Sequence, residues 1–484
     1  MNAAAVRVCA AAVGLLLCLG TAQAAPTPEQ AQSISRQAYI YGYPLVDLYR
    51  IYYQFFINDQ SPEHRHYTNR LYNAPGLFGP NNTTLQSPDA DVLFSFALLD
   101  LRTQPSVVTL PAIAHNRFYS AQFVDQYTYN IAYAGTRTTG DGGGKFFVVG
   151  PGWKKPAPAG MKQVIRADTQ FVLVALRTQV FNAADLSEAR KVQAGYRVQT
   201  LSEYLKTPTP PAPKKVHWIL PLGRDAQMRG LDFFNLLAFV AQFCTIDPQE
   251  RPLWQQFATL GIKPGVHFDS NALPIDDVKA VRSGMTVAQL DVLAKRQSLT
   301  SSAGVFGDRA QLHGDYLTRA AGAQLGILGN TAQETLSFVI ILDPQKKMLS
   351  GLLNRYSLHF GPRDLPPVNA FWSLTLYELP SRLLVPNALN RYFVDSGMLQ
   401  SMSKDSDGGY TILIQNPTPN GNLDANWLPA PQAPFYLILR LYYPKAQALN
   451  GQWKPPAIQV LSPPTPMPTI PPPPSGTPGP KTSP

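Results

Sequence analysis

Leu93-Phe-Ser-Phe96, Phe118-Tyr-Ser-Ala-Gln-Phe123 and Phe171-Val-Leu-Val-Ala-Leu176 are short apolar or alternating runs in the first half of the chain. Further runs of this kind lie between them, and Gly, Pro, Asn or Asp separates most of the runs. Short β runs that are broken by turn residues are typical of antiparallel sheets. The stretch from Asp91 to about Val180 therefore predicts an antiparallel β-barrel or sandwich.

A helical section follows this stretch, and the β pattern then returns. Leu186 to Leu205 and Ala226 to Cys244 carry apolar residues at helical spacing. Leu336 to Leu342 and Phe435 to Tyr443 have the pattern of strands. The sequence thus predicts a β-rich α+β protein. Its predicted parts, in chain order, are a signal peptide (1–24), an N-terminal β-rich domain with a leading helix (25–180), a helical linking section (181–330), a C-terminal jelly-roll-like β-sandwich (331–461) and a disordered Pro-rich tail (462–484).

The leading helix has a recognisable start signal. Thr27-Pro28-Glu29-Gln30 combines an N-cap residue, a proline in the first turn and the glutamine of a capping box. We expect the helix to kink or end at Pro44, because proline cannot donate the helical backbone hydrogen bond. Several tyrosines lie around this point, and they either pack in the core or line a ligand cavity.

The two ends of the chain carry targeting and low-complexity patterns. Arg7 precedes an apolar run, and Ala22-Gln23-Ala24 forms a small-x-small cleavage site, which predicts export with cleavage after Ala24. An uncleaved membrane anchor is the alternative. After cleavage we expect no transmembrane segment, and a periplasmic or secreted location. The tail, rich in Pro, Thr, Ser and Gly, is either a spacer or a partner-binding segment.

Composition excludes one class of partner. The net charge is +10, but lysines and arginines are scattered along the chain. Nucleic-acid-binding proteins gather basic residues on one face, so we expect no nucleic-acid partner. The mature chain keeps only Cys244, so an intramolecular disulfide is not possible. Nothing in the sequence indicates a cofactor or an oligomeric state.

Several long strings resemble a pair of protein families. The segments Arg117–Asp125, Asn130–Gly140 and Val149–Trp153 resemble exported proteins with domain of unknown function 1254. The segments Leu365–Tyr377, Pro386–Tyr392 and Asn426–Pro431 resemble the usual C-terminal partner of that domain, domain of unknown function 1214. The resemblance implies a β-barrel or sandwich followed by a jelly-roll-like domain, with helices between them. It brings no assigned reaction.

One departure from the family pattern concerns a charged segment. The family commonly has Asn-x-Asp-Thr before its first long strand, and here the matching stretch is Asp89-Ala90-Asp91-Val92. This chain therefore gains a carboxylate and loses a hydroxyl. If these positions serve a ligand, a change of substrate or a loss of activity follows.

Familiar catalytic motifs are absent from the sequence, so candidate residues rest on residue type and position. The sequence contains no P-loop, HExxH or G-x-S-x-G motif. Carboxylates at Asp89, Asp91 and Asp125 could perform acid–base chemistry, bind a hard cation or simply form turns around Pro88. His64 and His66 form the only close His pair, but their polar loop favours solvated side chains over a metal site.

A second set of candidates could act on an anionic substrate. Arg137 follows an apolar strand, where its guanidinium could hold an anionic group or instead pair with Asp125 or Asp141. Tyr127 completes the catalytic candidates, and Tyr119 and Asn130 are candidate ligand-binding residues nearby.

The C-terminal strings mix aromatic rings with amides and a guanidinium. Such mixtures bind sugars, although a domain interface and a β core explain them equally well. The candidate ligand-binding residues here are Trp372, Tyr377, Asn390, Arg391 and Trp427.

Three functional hypotheses remain open from the sequence. The first is an enzyme that acts on a polar or anionic, oligosaccharide-like substrate in a cleft between the domains. The second is a non-catalytic binding protein that holds a small molecule or oligosaccharide in the same cleft. The third is a structural protein whose Pro-rich tail carries the interaction.

Overall fold

The computed structural model describes residues 25–462, and its strands form four sheets. The predicted signal peptide and residues 463–484 of the predicted tail lie outside these residues. The strands of the first half are β1 (Tyr72–Asn73), β2 (Val92–Asp100), β3 (Ser106–Leu110), β4 (Tyr119–Asp125), β5 (Asn130–Gly135), β6 (Gly144–Val149), β7 (Gln163–Arg166), β8 (Phe171–Gln179) and β9 (Arg197–Thr200). Those of the second half are β10 (Thr335–Ile340), β11 (Arg355–Phe360), β12 (Trp372–Glu378), β13 (Phe393–Asp395), β14 (Tyr410–Gln415), β15 (Trp427–Pro429), β16 (Phe435–Tyr442) and β17 (Gln459–Ser462).

The N-terminal domain is a sandwich of two separate sheets. One has the strand order β1-β2-β8-β4-β5 and the other β7-β6-β3-β9. Their facing side chains, such as Leu99, Phe123, Phe146 and Val174, form one buried core. All pairs are antiparallel except β6 with β7. Of the two predicted architectures, barrel and sandwich, the structure has the sandwich. Strand β9 lies in the section that was predicted to be helical.

The C-terminal domain is a second sandwich. Its sheets have the orders β10-β16-β12-β13 and β15-β14-β11-β17. Trp372, Leu374, Ile412 and Leu439 from the two sheets bury one another at its centre. The predicted β-rich α+β class, with a C-terminal β-sandwich, is confirmed.

Helices fill the space between the two sandwiches. They are α1 (Pro28–Tyr52), α2 (Leu186–Gly195), α3 (Leu201–Leu205), α4 (Arg224–Arg229), α5 (Asp232–Ala241), α6 (Arg251–Thr259), α7 (Ile275–Ser298), α8 (Arg309–Leu312), α9 (Tyr316–Gly326) and α10 (Ala446–Leu449). Among the described residues, no helix is both long enough and apolar enough to cross a membrane.

Helix α1 is the centre of this helical layer. Its N-terminus has the predicted capping box, in which the Gln30 N–H donates to the Thr27 hydroxyl and the Thr27 N–H donates to the Gln30 side chain. The helix continues through Pro44 to Tyr52, so of the two expectations for this proline, a kink or an end, the end is wrong. Its second half is buried, and packing against α5, α7 and α9 outweighs the missing hydrogen bond. Gly284 of α7 allows close approach to α1, because an added Cβ would collide with the Gln32 carbonyl.

Candidate functional site

A largely apolar pocket lies where the N-terminal sheet, the end of α9 and the C-terminal sheet meet. Its interior cavity has a volume of about 90 Å³, and the empty space grows to about 820 Å³ when the open mouth is included. Val305, Leu325, Ile327, Val339 and Ile438 supply much of its apolar wall. An apolar lining with a few polar groups is typical of small-molecule sites, so this pocket is the candidate functional site.

Asp89 forms the charged base of the pocket. Arg177 Nε lies 2.7 Å from Asp89 Oδ2, and Arg440 Nε lies 2.8 Å from Asp89 Oδ1. Arg177 belongs to β8 and Arg440 to β16, so the carboxylate joins the two domains. Burial alone would raise the pKa of Asp89, but the attraction of Arg440 and then Arg177 lowers it below its ordinary value. Asp89 is therefore an anion with a cation at each oxygen.

Arg177 uses its other nitrogens within the protein. Its Nη1 donates to Gln122 Oε1 at 2.8 Å, and its Nη2 donates to the Leu328 carbonyl at 3.0 Å. Gln122 Nε2 in turn donates to Asn130 Oδ1 at 2.7 Å, and the Asn130 amide donates to the Gly329 carbonyl. This chain of hydrogen bonds fixes the segment after α9, which forms one wall of the pocket.

Arg440 is held in the same way from the C-terminal domain. Its Nη1 donates to the Tyr377 hydroxyl and its Nη2 to the Ser87 carbonyl, both at 2.8 Å. The Tyr377 hydroxyl donates onward to the Pro88 carbonyl at 2.6 Å. The two arginines therefore position the segment that carries Asp89, and their nitrogens already have acceptors in the protein.

A second carboxyl group lies below Asp89. Asp91 accepts hydrogen bonds from the Ser373 and Tyr442 hydroxyls, the latter at 2.8 Å. Burial and the neighbouring Asp89 raise the pKa of Asp91. Burial, and then Asp91, raise the pKa of Asp395 to about 7. Within this buried network the arginines therefore stabilise the negative charge of Asp89, whereas the surroundings of Asp91 and Asp395 disfavour ionisation.

One polar side chain in the pocket wall has an atom without a hydrogen-bond partner. Asn330 is 7% exposed, and its Nδ2 donates to the Thr335 hydroxyl at 3.1 Å. Its Oδ1 is buried and has no hydrogen-bond donor. A buried amide oxygen without a partner is costly, so a ligand hydroxyl or N–H at this point would satisfy it.

The structure places Asp125 and Tyr127 in a separate buried cluster. The Tyr129 N–H donates to Asp125 Oδ1 at 2.9 Å, and burial raises the pKa of Asp125 to about 7 despite nearby Arg309 and Arg319. The Tyr127 ring packs under the Arg309 guanidinium, 4.9 Å from ring centroid to Cζ. Neither residue lines the pocket at Asp89.

Two other N-terminal candidates serve local structure. Arg137 pairs with Glu334 at 2.5 Å, rather than with Asp125 or Asp141. The Tyr119 hydroxyl donates to the Gly140 carbonyl at 2.8 Å and thereby fixes a loop.

The C-terminal candidates divide in the same way. Tyr377 reaches the base of the pocket through Arg440, whereas Trp372 is in the core of the C-terminal sandwich. Arg391 donates to the Trp427 carbonyl at 2.8 Å, and the Trp427 indole donates to a β14 carbonyl. Asn390 is exposed, in a left-handed backbone conformation. Of all the sequence candidates, Asp89 lines the pocket, and Asp91, Asn130 and Tyr377 belong to the network around its base.

Sequence reasoning missed Arg177, Arg440 and Asn330. Each of the two arginines follows an apolar run within its strand, and a lone charge in such a strand signals a buried ion pair. Asn330 lies in a short connecting segment without periodicity, so no sequence signal identifies it.

One group among the described residues has the geometry of a cation site. His359, Asp405 and Asp407 place one ligand atom each within 4.8 Å of one another. The two imidazole nitrogens face the carboxylates of Asp405 and Asp407, each at 3.0 Å. These partly exposed residues form hydrogen bonds among themselves and lie in the C-terminal domain.

The fold and the pocket define a class of protein: two β-sandwich domains, a helical layer and a largely apolar pocket between them. Residues 68–200 match the family described as protein of unknown function (DUF1254), and residues 334–446 match the family described as protein of unknown function (DUF1214). The chain therefore belongs to the proteins that pair an N-terminal DUF1254 domain with a C-terminal DUF1214 domain.

A solved structure agrees with this architecture. The chain is similar to the VPA0106 protein from Vibrio parahaemolyticus, with 24% identity and a TM-score of 0.69, over 89% of this chain and 100% of that one. A putative uncharacterized protein from Burkholderia cenocepacia matches at 11% identity and a TM-score of 0.41, over 89% of this chain and 94% of that one. No protein with a curated description matches the chain. The first of these likenesses shows the fold alone.

Proposed function

We propose that this chain binds a predominantly apolar small molecule, carrying at least one hydroxyl or N–H donor, in the pocket between the domains. The observation that supports this proposal is the unpaired Asn330 Oδ1 in a largely apolar pocket whose charged groups are already paired with one another. The apolar surface would supply most of the affinity, and the single hydrogen bond would orient the ligand.

Binding fits the pocket better than acid–base catalysis on an anionic sugar. The pKa of Asp89 is lowered, and both of its oxygens are paired with arginines, so it is a poor proton donor and a poor nucleophile. Asp125 and Arg137, which the enzyme hypothesis needs in the same cleft, lie elsewhere in the fold. The arrangement therefore favours the binding hypothesis.

The first experiment compares two ligands that differ by one hydrogen-bond donor. Medium-chain alcohols and the methyl ethers of the same alcohols are added to the full mature chain, and the thermal unfolding midpoint is measured. A ligand at about 100 times its dissociation constant stabilises a protein by roughly 2.7 kcal/mol. We expect stabilisation by the alcohols and a smaller effect of the ethers. No stabilisation by either series would refute binding of this class, and equal effects would refute the role of Asn330.

A matched pair of variants tests the location. Gly326 lines the pocket, and a Cβ added there meets no atom within 4 Å, so Gly326→Leu fills the pocket without backbone collision. Gly79 also faces open space and is not part of the pocket, so Gly79→Leu is the control. Gly326→Leu should abolish the shift caused by the alcohols, and Gly79→Leu should keep it.

We propose, as a separate matter, that the chain is exported and cleaved after Ala24. The pattern in residues 1–24 supports this proposal. Expression of the full chain in a Gram-negative host, followed by fractionation and N-terminal sequencing, tests it. We expect a periplasmic product that begins at Ala25, and an uncleaved cytosolic product would contradict the proposal.

A further inference from the structure

Four arginines lie close to one another on the helical side of the C-terminal domain, and three of them act on the carboxylate of Asp47. Arg50 and Asp47 belong to α1, Arg224 begins α4, Arg296 is near the end of α7, and Arg382 lies in the turn after β12. Arg50 Nε and Asp47 Oδ1 are 2.6 Å apart in a buried ion pair. Burial would raise the pKa of Asp47, but Arg50, followed by Arg224 and Arg382, lowers it. Asp47 is thus fully ionised and already neutralised by Arg50.

The other three arginines have only neutral partners. Arg224 Nη2 donates to the Thr84 carbonyl at 2.8 Å, and Arg296 Nη1 donates to the Gln324 side chain at 3.1 Å. Arg382 donates to the side chain of Gln86. Within residues 25–462, none of the three forms an ion pair with a carboxylate.

The guanidinium groups lie close together. The same Thr84 carbonyl accepts hydrogen bonds from Arg50 and Arg224, which brings these two cations side by side. Burial and then Arg50 lower the pKa of Arg224 to about 10, and burial and then Arg382 lower the pKa of Arg296. The positive charges therefore repel one another at a place where water only partly screens them.

Hydrogen-bonding capacity remains at the same place. Arg224 Nε and Arg382 Nη1 are buried and have no acceptor. Tyr43 on α1, which interacts electrostatically with Asp47 and Arg382, is almost fully buried, and burial raises its pKa to about 12. A group with several acceptor oxygens and negative charge would satisfy the unpaired nitrogens and offset the repulsion.

We propose that Arg224, Arg296 and Arg382 form a binding site for an oxyanion, that is, a phosphoryl or carboxylate group. The site lies between α1, α4, α7 and the β12–β13 turn, and it does not depend on binding in the apolar pocket. Arginine suits such a ligand because its planar guanidinium forms paired hydrogen bonds to oxyanions.

The test measures the thermal unfolding midpoint of the full mature chain in sodium phosphate, sodium acetate and sodium chloride at matched ionic strength. The variant is Arg224→Gln/Arg382→Gln. The control is Arg229→Gln, because Arg229 is exposed at the other end of α4. Phosphate also stabilises proteins in general through exclusion from their surfaces, and the control measures that contribution.

We expect phosphate, acetate or both to raise the midpoint of the wild type and the control more than that of the double variant. A shift with phosphate alone indicates a phosphoryl ligand, and a shift with acetate alone indicates a carboxylate. In chloride the double variant should be at least as stable as the wild type, because substitution removes repelling charges. Equal anion shifts in all three proteins would overturn the proposal. A double variant that is less stable in chloride and keeps its anion shift would assign the arginines a structural role instead.

Discussion

Replacement of the two carboxyl groups below the pocket tests how the buried charge is shared. Asp89 contacts Arg177 at 2.7 Å and Arg440 at 2.8 Å, and the closeness of Asp89 raises the pKa of Asp91. In Asp89→Asn the repulsion is lost, so the pKa of Asp91 falls and its carboxylate is stabilised. Each single variant therefore keeps one carboxylate near Arg440, and the double variant keeps neither.

The sizes of the effects follow from these contacts. In Asp89→Asn two charge-assisted hydrogen bonds become weaker, so the free energy of unfolding should fall by about 1–2 kcal/mol. Asp91→Asn should cost about 1 kcal/mol, since Asp91 forms no ion pair with either arginine and its replacement weakens only the hydrogen bonds from Ser373 and Tyr442. The double variant leaves two buried cations without a carboxylate, and breaking such a pair costs about 3–5 kcal/mol. The expected coupling between positions 89 and 91 is thus roughly 1–2 kcal/mol beyond the sum of the single effects.

Urea unfolding at pH 7, followed by circular dichroism and tryptophan fluorescence, measures the four free energies of the cycle. Coincident transitions of the two probes establish that one cooperative process is observed. If the effects of the single variants add up to the effect of the double variant within about 0.5 kcal/mol, the two carboxyl groups are not coupled and the reasoning is refuted.

Three further predictions concern other parts of the fold. Burial raises the pKa of Asp125 from 3.8 to about 7, so the folded chain binds more protons than the unfolded chain between these pH values; stability should fall as pH rises across this window, and urea unfolding of Asp125→Asn should lack that component. Gly284→Ala should lower the free energy of unfolding by about 1–3 kcal/mol because its Cβ collides with α1, whereas Gly326→Ala, where space is open, should have little effect; a small effect of both would contradict the close approach. Arg117→Lys should cost about 1–3 kcal/mol in thermal unfolding, because lysine cannot replace the paired 2.6 Å hydrogen bonds to Asp185, and unchanged stability would disprove their importance.

The strands were predictable because their cause is local. Alternation along β2 and β8 and turn residues between the runs are visible in the sequence, and the sandwiches follow from them. The path of α1 through Pro44 was not predictable, since its cause is burial by helices that are distant in sequence. Local propensity is outweighed there by packing, which a single sequence does not display.

The candidate site was predictable only in part, for the same reason. The departure from the family pattern singles out Asp89 and Asp91, and they do lie at and below the base of the pocket. Two of their partners come from β16, which is far away in the sequence. Arg440 and Tyr442 both belong to this strand, and Tyr442 lies 351 positions after Asp91. Asn330 becomes notable only once its environment is known, because the missing hydrogen-bond partner is a property of the fold.

The two buried arginine clusters differ in whether each arginine has a carboxylate partner. Around Asp89 the protein balances its own buried charges, since two arginines face two carboxyl groups and donate their hydrogen bonds within the protein. Around Asp47 the charges are not balanced, because Arg50 neutralises that carboxylate and the remaining arginines donate to neutral acceptors. Burial of the charges costs free energy in both clusters, but only in the second do the arginines outnumber the carboxyl groups beside them. An anion from outside can therefore stabilise the second cluster, whereas the first has nothing left to neutralise.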